Sequence, residues 1–388
     1  MFLLAGGCLN SVGVFFPAFG ESFRWTRFEV SLVYGSLAVG LGIGSPLAGW
    51  LLERSAARVV MGTGVLLSGL GLAVSCLAGA IWPMLGAYCA IGFGLGLSTY
   101  VPVSFVISNW FRSNRGRWLG LVMGAQGLGA MIIAPTVGYV ISSMGWRAGE
   151  LVMALPTLMV VLPAVLVFVR ESKAKDGTVG VNGEPLRVGG DVISGYEFNE
   201  ALRTRTFWML VLIQLGYPLA ANTPFVHLVS YLEGSGYTEK IAVLSLALLA
   251  GLATVGQIAF GIAADCIGSR FALALSFALT TLSLVALILA SRGKLMLVAF
   301  LISFGLTSAA GFVLVPMLLA DSLGLRRFGT LSGVLAIPFT AGLALGPPGA
   351  GWIYDRTGTY FTSFEICIVI QFTCMIAAFI CDSERPIA

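Results

Sequence analysis

Residues Gly44–Arg58, with the sequence G-S-P-L-A-G-W-L-L-E-R-S-A-A-R, recur later in the chain as Gly256–Arg270, G-Q-I-A-F-G-I-A-A-D-C-I-G-S-R. An offset of 212 residues aligns Gly49 with Gly261, Glu53 with Asp265, and Arg58 with Arg270. Each copy is the end of an apolar run followed by a short charged turn. Small residues let two membrane helices approach closely, so the repetition predicts two similar halves built from such helices.

The composition places the chain in a lipid bilayer. Of its 388 residues, 57% are hydrophobic and only 10% are charged, whereas a soluble domain carries about 25% charged residues. Apolar runs near twenty residues recur along the chain, and each is long enough to cross a hydrocarbon core about 30 Å thick. The predicted class is therefore a multi-pass, all-α membrane protein.

The apolar runs divide into twelve predicted spans. Their approximate ranges are 1–19, 30–52, 59–80, 83–108, 116–142, 148–169, 206–231, 241–264, 271–290, 295–320, 328–353 and 361–381. The first run lacks the basic start and cleavage site of a signal peptide, so we interpret it as a retained helix. Whether a short leader precedes Met1 is left open.

The polar segment 170–205 separates six spans from six others, and its balanced charge predicts a partly helical linker. We therefore predict an N-terminal bundle over 1–169 and a C-terminal bundle over 206–388. Further residues repeat in the same order, including Asn10 with Asn222 at an offset of 212. A parallel repeat of this kind predicts two pseudo-symmetric six-helix halves around a central cavity.

Lysine and arginine set the predicted orientation. With the N-terminus in the cytoplasm, 15 of the 22 basic residues fall on the cytoplasmic side and 7 on the other. Because cytoplasmic loops carry an excess of these residues, both termini and the linker are predicted to be cytoplasmic. The membrane is predicted to be the plasma or inner membrane of the cell.

Glycine-rich stretches inside the spans predict packing surfaces. Gly40–Gly44 and Gly92–Gly96 lack the preceding strand that a nucleotide-binding loop requires. Gly116, Gly120 and Gly124 share one face of the fifth span and predict a close helix contact.

Several function classes are excluded by composition. The net charge of +4 is too small to indicate nucleic-acid binding, and the seven scattered cysteines with one histidine do not form a metal site. No cluster of acids or nucleophile–base pair lies at membrane depth, so the sequence does not predict an enzyme or a cofactor.

At this point the chain resembles the major facilitator superfamily over nearly its full length. The family's loop signature G-x-x-x-[DE]-R-x-G-x-R is present in altered form at Gly49–Arg58 and Gly261–Arg270, and Gly351–Gly358 is related to it. The resemblance implies a transporter that works by alternating access and that is usually monomeric.

Within that superfamily the chain resembles the monocarboxylate transporters and oxalate–formate antiporters. The matching stretches are Gly13–Pro17, Phe23–Trp25, Asn109–Gly120, Val226–Leu228 and Gly351–Asp355. This group moves small carboxylates such as lactate, pyruvate or oxalate, often with a proton. The sequence departs from the group's pattern at three positions, where ionisable residues are replaced by Gln257, Ala253 and Ala18.

The resemblance and the repeat give a set of candidate substrate-binding residues. They are Gln257, Asn222, Asn10, Gln126, Tyr100, His227 and Phe339. The Gln257 amide can donate hydrogen bonds to a carboxylate, and an imidazole can titrate near neutral pH. For each polar candidate, a hydrogen bond to a neighbouring helix is the competing interpretation, and Phe339 is the residue that could simply pack.

A second set of candidates has a gating or structural role. It comprises Glu53, Arg54, Arg58, Asp265, Arg270 and Asp355. In the family such turns brace helix ends between the halves, and solvated turns that set topology are the alternative.

The resulting hypothesis is an alternating-access transporter of a small organic solute, most readily a monocarboxylate-like anion that moves with or without a proton. One alternative is a carrier of a neutral or amphipathic compound, including drug efflux. The other is a receptor on the same scaffold that binds solute without transporting it.

Overall fold

The fold is almost entirely helical in the part of the chain that the structure, a computed structural model, describes. That part comprises residues 1–9, 12–25, 27–111, 114–169, 187–188, 191–192 and 195–381. Within it, the paired strands form one short antiparallel hairpin of β1 (Arg187–Val188) and β2 (Asp191–Val192).

Helices of the first half follow the predicted spans closely. They are α1 (Phe16–Phe23), α2 (Arg27–Leu52), α3 (Ala57–Ser75), α4 (Ile81–Ser98), α5 (Tyr100–Trp110), α6 (Arg115–Met144), α7 (Trp146–Pro156) and α8 (Leu162–Phe168). A π-helix, Phe2–Leu9, and a 3-10 turn, Val12–Phe15, precede α1, and a π-turn, Thr157–Val161, joins α7 to α8.

The second half begins with one helical turn in the predicted linker. Its helices are α9 (Phe198–Ala201), α10 (Arg205–Gly234), α11 (Glu239–Ile267), α12 (Ser269–Ile288), α13 (Lys294–Thr307), α14 (Gly311–Leu323), α15 (Phe328–Thr357) and α16 (Phe361–Ile380). A 3-10 turn, Leu289–Arg292, follows α12.

Eleven of the described helical segments are long and apolar enough to cross a membrane. They correspond to predicted spans two to twelve, so the prediction of a multi-pass helical protein is confirmed. The predicted first span is built differently from the others, because a π-helix, a 3-10 turn and α1 replace one regular helix. We call residues 2–23 the first segment.

Packing between helices repeats in the two halves. In the first half, the first segment packs on α6, α2 and α3 pack on α4, and α3 packs on α7. In the second half, α10 packs on α15, α11 and α12 pack on α13, and α12 packs on α16. The two largest contacts between halves are α2 with α15 and α6 with α11. The repeat relates α2 to α11 and α15 to α6, so these two contacts are equivalent. This pattern is what a two-fold pseudo-symmetric pair of bundles requires.

Glycine makes the tightest crossings possible, as the sequence predicted. A Cβ atom added at Gly40 on α2 would lie 2.0 Å from the Cys89 carbonyl oxygen on α4. One added at Gly92 on α4 would lie 1.9 Å from the Leu37 carbonyl oxygen. Because no side chain fits between them, the two backbones are in direct contact.

Candidate functional site

Four aromatic side chains meet between the halves: Tyr100, Tyr217, Phe312 and Phe339. The ring of Phe312 lies 5.1 Å from Tyr100, 6.1 Å from Tyr217 and 5.5 Å from Phe339. Tyr100 and Phe312 lie ten and eleven residues before the C-terminal ends of their helices, and Tyr217 and Phe339 lie twelve and eleven residues after the N-terminal ends of theirs. These four helix ends belong to one end of the bundle, so each ring is about 15–18 Å from that end. The cluster therefore sits near the middle of a hydrocarbon core about 30 Å thick.

Two of these rings are related by the sequence repeat. Tyr100 and Phe312 are separated by 212 residues, and their rings stack across the halves with an interplanar angle of 17°. Each follows a break in a membrane-crossing helix, at Thr99 between α4 and α5 and at residues 308–310 between α13 and α14. Discontinuous helices that meet at half depth are typical of transporter binding sites.

The aromatic cluster lines a cavity with an empty volume of about 680 Å³, part of which is open to solvent. The remaining lining is mostly aliphatic, with five uncharged polar side chains: Ser45, Ser104, Gln214, Ser332 and Thr340. None of the described lining residues is charged. The buried Ser332 hydroxyl finds no hydrogen-bond partner in the described part of the chain.

Three of the predicted binding residues come together at this cavity. Tyr100 and Phe339 line it, and the Tyr100 hydroxyl donates a hydrogen bond to Oε1 of Gln126. Gln126 is 5% exposed, and its backbone carbonyl oxygen would lie 2.6 Å from a Cβ atom at Gly6. Gln126 therefore connects the cavity wall to the first segment.

Gln257 lies beside the cavity rather than in its lining. It is 3% exposed, and its backbone carbonyl oxygen would be 2.6 Å from a Cβ atom at Gly120 on α6. Its side-chain oxygen and the nearby Thr254 hydroxyl find no hydrogen-bond partner among the described residues. Gln257 therefore belongs to the contact between α6 and α11, away from lipid.

The remaining predicted binding residues lie elsewhere. His227 Nε2 is 2.9 Å from the Pro347 carbonyl oxygen, and its ring lies 5.0 Å from Tyr360, which matches the packing alternative. Asn222 is half-buried on α10 outside the cavity lining. Asn10 lies outside the described residues.

Sequence reasoning did not identify Gln214, Tyr217, Phe312 or Ser332 as cavity residues. The repeat contained a signal for one of them, since Phe312 occupies the position that corresponds to Tyr100. Tyr217 carries no such signal, and its place follows from tertiary contact: its hydroxyl donates to the Ser308 carbonyl oxygen at 2.7 Å. That bond joins α10 to the break between α13 and α14.

The two halves touch at one end of the bundle. It is the end at which α2 ends and α15 begins, and we call it the linker end. A Cβ atom at Gly49 would lie 2.0 Å from the Gly329 carbonyl oxygen. At the equivalent crossing of α6 and α11, one at Gly261 would lie 2.2 Å from the Gly116 carbonyl oxygen. Two glycine pairs related by the repeat thus bring the backbones of opposite halves into contact.

An acid secures the first glycine crossing. Glu53, after α2, accepts hydrogen bonds from the Thr330 backbone N–H at 2.9 Å and from Arg327 at 3.0 Å. A carboxylate at a helix N-terminus satisfies unpaired N–H groups and the positive end of the helix dipole. Glu53 therefore holds the N-terminus of α15, a helix of the other half.

Asp265 holds a helix N-terminus of the other half at the second crossing. From the end of α11 it accepts hydrogen bonds from the backbone N–H groups of Gly116 at 2.8 Å and Arg117 at 2.9 Å, at the N-terminus of α6. Glu53 and Asp265 are thus two clamps related by the repeat, each acting from one half on the other. A salt bridge from Arg115 to Asp321, at 3.3 Å, adds to this side.

Among the described residues, the linker contacts only the clamp formed by Glu53, and it does so through Arg327. Glu197 forms salt bridges of 2.8 Å with both Arg326 and Arg327, and the Tyr196 N–H donates to the Leu323 carbonyl oxygen at 3.1 Å. The hydrogen bond from Arg327 lowers the pKa of Glu197, and the two carboxylates Glu197 and Glu53 raise the pKa of Arg327. Arg327 is therefore shared between the linker and the clamp.

The other predicted gating residues make different contacts. The Arg54 guanidinium lies 4.0 Å from the centroid of Trp50 on its own half, and Arg270 donates to the Phe379 carbonyl oxygen of α16. Arg58 and Asp355 are exposed, and Asp355 lies near the end of α15 that is remote from the linker.

Further from the linker end the two sides of the bundle differ. A second cavity lies between α2 and α15, and it is lined by Leu32, Val39, Ile337, Thr340 and Ala344 among others. On the opposite side of the bundle, α6 and α11 stay in contact further along, because Gly124 and Gly127 continue the glycine face against Thr254. The contacts at the linker end therefore close the central cavity on that side, and the second cavity lies between α2 and α15.

A duplicated helical bundle with a half-depth cavity that is closed at one end has the architecture of a secondary transporter. Residues 1–334 match the family model of the Major Facilitator Superfamily. The chain belongs to the Major Facilitator Superfamily and is a multi-pass membrane transporter.

Curated relatives with similar sequences are monocarboxylate transporters. The chain is 27% identical to monocarboxylate transporter 13 of Rattus norvegicus over 371 residues, which cover 94% of this chain and 82% of that protein. It is 25% identical to monocarboxylate transporter 12-B of Danio rerio, with coverage of 91% and 79%.

Solved structures confirm the fold. The transporter FucP in its outward conformation superposes with a TM-score of 0.73 at 19% identity and covers 97% of this chain and 95% of its own. The human organic anion transporter MFSD10 gives a TM-score of 0.74 at 16% identity, with 96% coverage of both chains.

The shared arginine gives a test of the clamp. We expect Arg327→Gln to lower the apparent melting temperature in detergent by roughly 1–3 °C, because Glu53 and Glu197 each lose a partially exposed ion pair. Arg326→Gln, which loses a bridge to Glu197 alone, is the matched control and should have a smaller effect. Equal effects of the two substitutions would contradict the shared role.

The effect of Arg327→Gln should also depend on pH. Arg327 lowers the pKa of Glu197 in the folded protein, so this contribution to stability is present at neutral pH and is lost as the pH falls through the lowered value. We therefore expect the melting temperatures of wild type and Arg327→Gln to converge in acid. A difference that grows on acidification would be inconsistent with this pairing.

Proposed function

We propose that this transporter carries a small monocarboxylate-like organic anion through the central cavity by alternating access. The observation that carries the proposal is a half-depth cavity between two repeat-related helix breaks, closed at one end by two repeat-related clamps. The names of the curated relatives support this solute class. We further propose that the functional halves are residues 1–169 and 206–388 and that one chain suffices, since the cavity lies within it.

Recognition of an anion here depends on hydrogen bonds, because the described lining holds no cation. Hydroxyl and amide groups of Ser104, Gln214 and Ser332 can donate to a carboxylate. The Tyr100 hydroxyl donates its single proton to Gln126 and so fixes the cavity wall. Phe312 and Phe339 provide apolar contact for the solute's carbon skeleton. This arrangement favours a short solute with one acidic group over a di- or tricarboxylate.

For the linker end to open during the transport cycle, two sets of contacts between the halves must break. The Tyr100–Phe312 stack lies between the halves, and the Glu53 and Asp265 clamps lie beyond it. When the solute draws the halves together around the cavity, both clamps release and the linker end opens. Because each clamp consists of hydrogen bonds at a partly exposed surface, its release costs little.

The charge-free lining also favours a second candidate, a neutral or amphipathic solute. The gap between α2 and α15 is lined by apolar side chains such as Val39 and Ile337, which are 57% and 52% exposed. An uncharged solute could reach the cavity through it. Competition by uncharged analogues of the transported acid distinguishes the two candidates.

Uptake into proteoliposomes tests the proposed function. We expect saturable uptake of lactate, pyruvate or a related acid, above the leak of protein-free liposomes. Tyr100→Phe should raise KM about three- to tenfold, because the hydrogen bond that fixes Gln126 at the cavity wall is lost. Tyr139→Phe, at a 75% exposed site on α6, should leave KM unchanged. No saturable flux for any small monocarboxylate would refute the solute class.

Orientation is the other part of the proposal. We propose that the linker end faces the cytoplasm, so that the structure represents an outward-facing state. Cys266 is exposed beside the Asp265 clamp. A membrane-impermeant maleimide should therefore label the protein in inside-out vesicles and not in intact cells, with Cys266→Ser as the control that loses labelling. Labelling of Cys266 in intact cells would reverse the topology.

A further inference from the structure

One carboxyl group lies inside the first half without a charged partner. Glu150 on α7 is 0% exposed, and the Tyr88 hydroxyl of α4 donates a hydrogen bond of 2.5 Å to its Oε1. Its other oxygen, Oε2, finds no hydrogen-bond partner among the described residues, since the nearby Ser75 hydroxyl donates to the Leu72 carbonyl oxygen at 2.7 Å. Glu150 is four residues from the start of α7, about 6 Å along the helix from the end remote from the linker.

The helices packed around Glu150 offer it no countercharge. Arg147, one turn away on α7, donates instead to the carbonyl oxygens of Cys76 at 3.1 Å and Ala78 at 3.4 Å. Its guanidinium also lies 4.3 Å from the centroid of Trp146. In the described part of the chain, no cation lies within 4.0 Å of the Glu150 carboxyl group.

Other titratable groups near Glu150 do not supply positive charge either. They are the thiols of Cys8 in the first segment and Cys76 on α3, together with the Tyr88 phenol on α4. The nearby α6 contributes apolar contact through Ile141, which packs on Gly149. An ionised carboxylate in such a site would be costly, since buried charges need a partner. The group therefore holds a proton in this state.

The first segment connects Glu150 to the solute cavity. Gly7 of that segment has Met153, on the next turn after Glu150, within 3.4 Å of an added Cβ atom. Gly6 lies against Gln126, which accepts a hydrogen bond from Tyr100 in the cavity wall. Since residues 2–9 contact both α7 and Gln126, a displacement of this segment would affect both Glu150 and Gln126.

We propose that Glu150, with Tyr88 as its hydrogen-bond partner, is the proton-binding site that couples transport to the proton gradient. This inference rests on the proposed function. Before the linker-closed state forms, the carboxylate takes one proton from water at the end remote from the linker and forms an O–H bond, and in the closed state it holds that proton out of contact with water. In the state with the linker end open, that bond breaks and the proton passes to water on the linker side. One proton thereby moves with each solute anion, without any redox step.

Accumulation at equilibrium tests the proposal, because its value does not depend on how much protein is active. With one proton per anion, a gradient of one pH unit drives about tenfold accumulation of solute. The readout is the plateau that proteoliposomes reach before protein-free liposomes have taken up measurable solute, because slow diffusion of the neutral acid leads to the same tenfold ratio at longer times. We expect about tenfold accumulation for wild type and mere equilibration for Glu150→Gln.

Two further variants separate proton binding from structure. Glu365→Gln makes the same chemical change at an exposed site on α16, and it should accumulate solute like wild type. Tyr88→Phe keeps the carboxyl group and loses its hydrogen bond, so it should retain accumulation with a shifted pH profile. Tenfold accumulation by Glu150→Gln, or equilibration without accumulation by wild type, would overturn the proposal.

A measurement without solute separates this inference from the proposed function. Infrared spectroscopy of the purified protein should show a protonated carboxyl band near neutral pH that is lost on alkaline titration and is missing in Glu150→Gln. If wild type shows no saturable flux but has this band, the solute class is wrong and the proton site stands. If the band is unchanged in Glu150→Gln, the proton site is wrong. If Glu150→Gln does not fold, Tyr88→Phe takes its place, and a band at the wild-type position in that variant shows that the proton site is wrong.

Discussion

Direct backbone contact between glycines of opposite halves is the constraint on which the rest of the structure depends. At Gly49–Gly329 and Gly116–Gly261, an added Cβ atom would lie 2.0–2.7 Å from the opposite carbonyl oxygen. Only at that separation can Glu53 and Asp265 reach the N-termini of helices in the other half. The closed linker end and the aromatic cluster both follow from these two crossings, because they fix how the bundles lean on each other.

The same crossings explain how a closed end can also open. Each is a glycine contact secured by an acid at a helix end, with Met317 packed beside Gly116 and Phe105 beside Gly329. The two clamps differ in one respect, since the linker binds Arg327 and thereby the α15 side. The contact of α6 with α11 extends along Gly124 and Gly127, whereas the α2–α15 side carries Ile337 and Thr340 at the corresponding positions. Motion of the halves should therefore be larger on the α2–α15 side.

Much of this fold could be predicted from sequence, because membrane helices are visible as apolar runs and the repeat aligns them. The clamp acids were found for the same reason: Glu53 and Asp265 are equivalent positions in two copies of one stretch. The chemistry of the centre was harder to predict. Gln257 occupies a position defined by resemblance, yet the crossing with Gly120 places it between helices. Glu150 was missed because an acid near the start of an apolar run is typical of a loop, and its complete burial depends on packing by four other segments.

The most direct test of this account is the pair of distances across the two ends of the bundle, measured by double electron–electron resonance with and without solute. Labels at Arg54→Cys and Cys266 report on the linker end, and labels at Glu21→Cys and Glu233→Cys, with Cys266→Ser, report on the opposite end; all four sites are exposed and related in pairs by the repeat. We predict that solute shifts the population so that the first distance lengthens while the second shortens. Distances that stay fixed, or that change together in the same direction, would contradict a rocking motion about the glycine crossings.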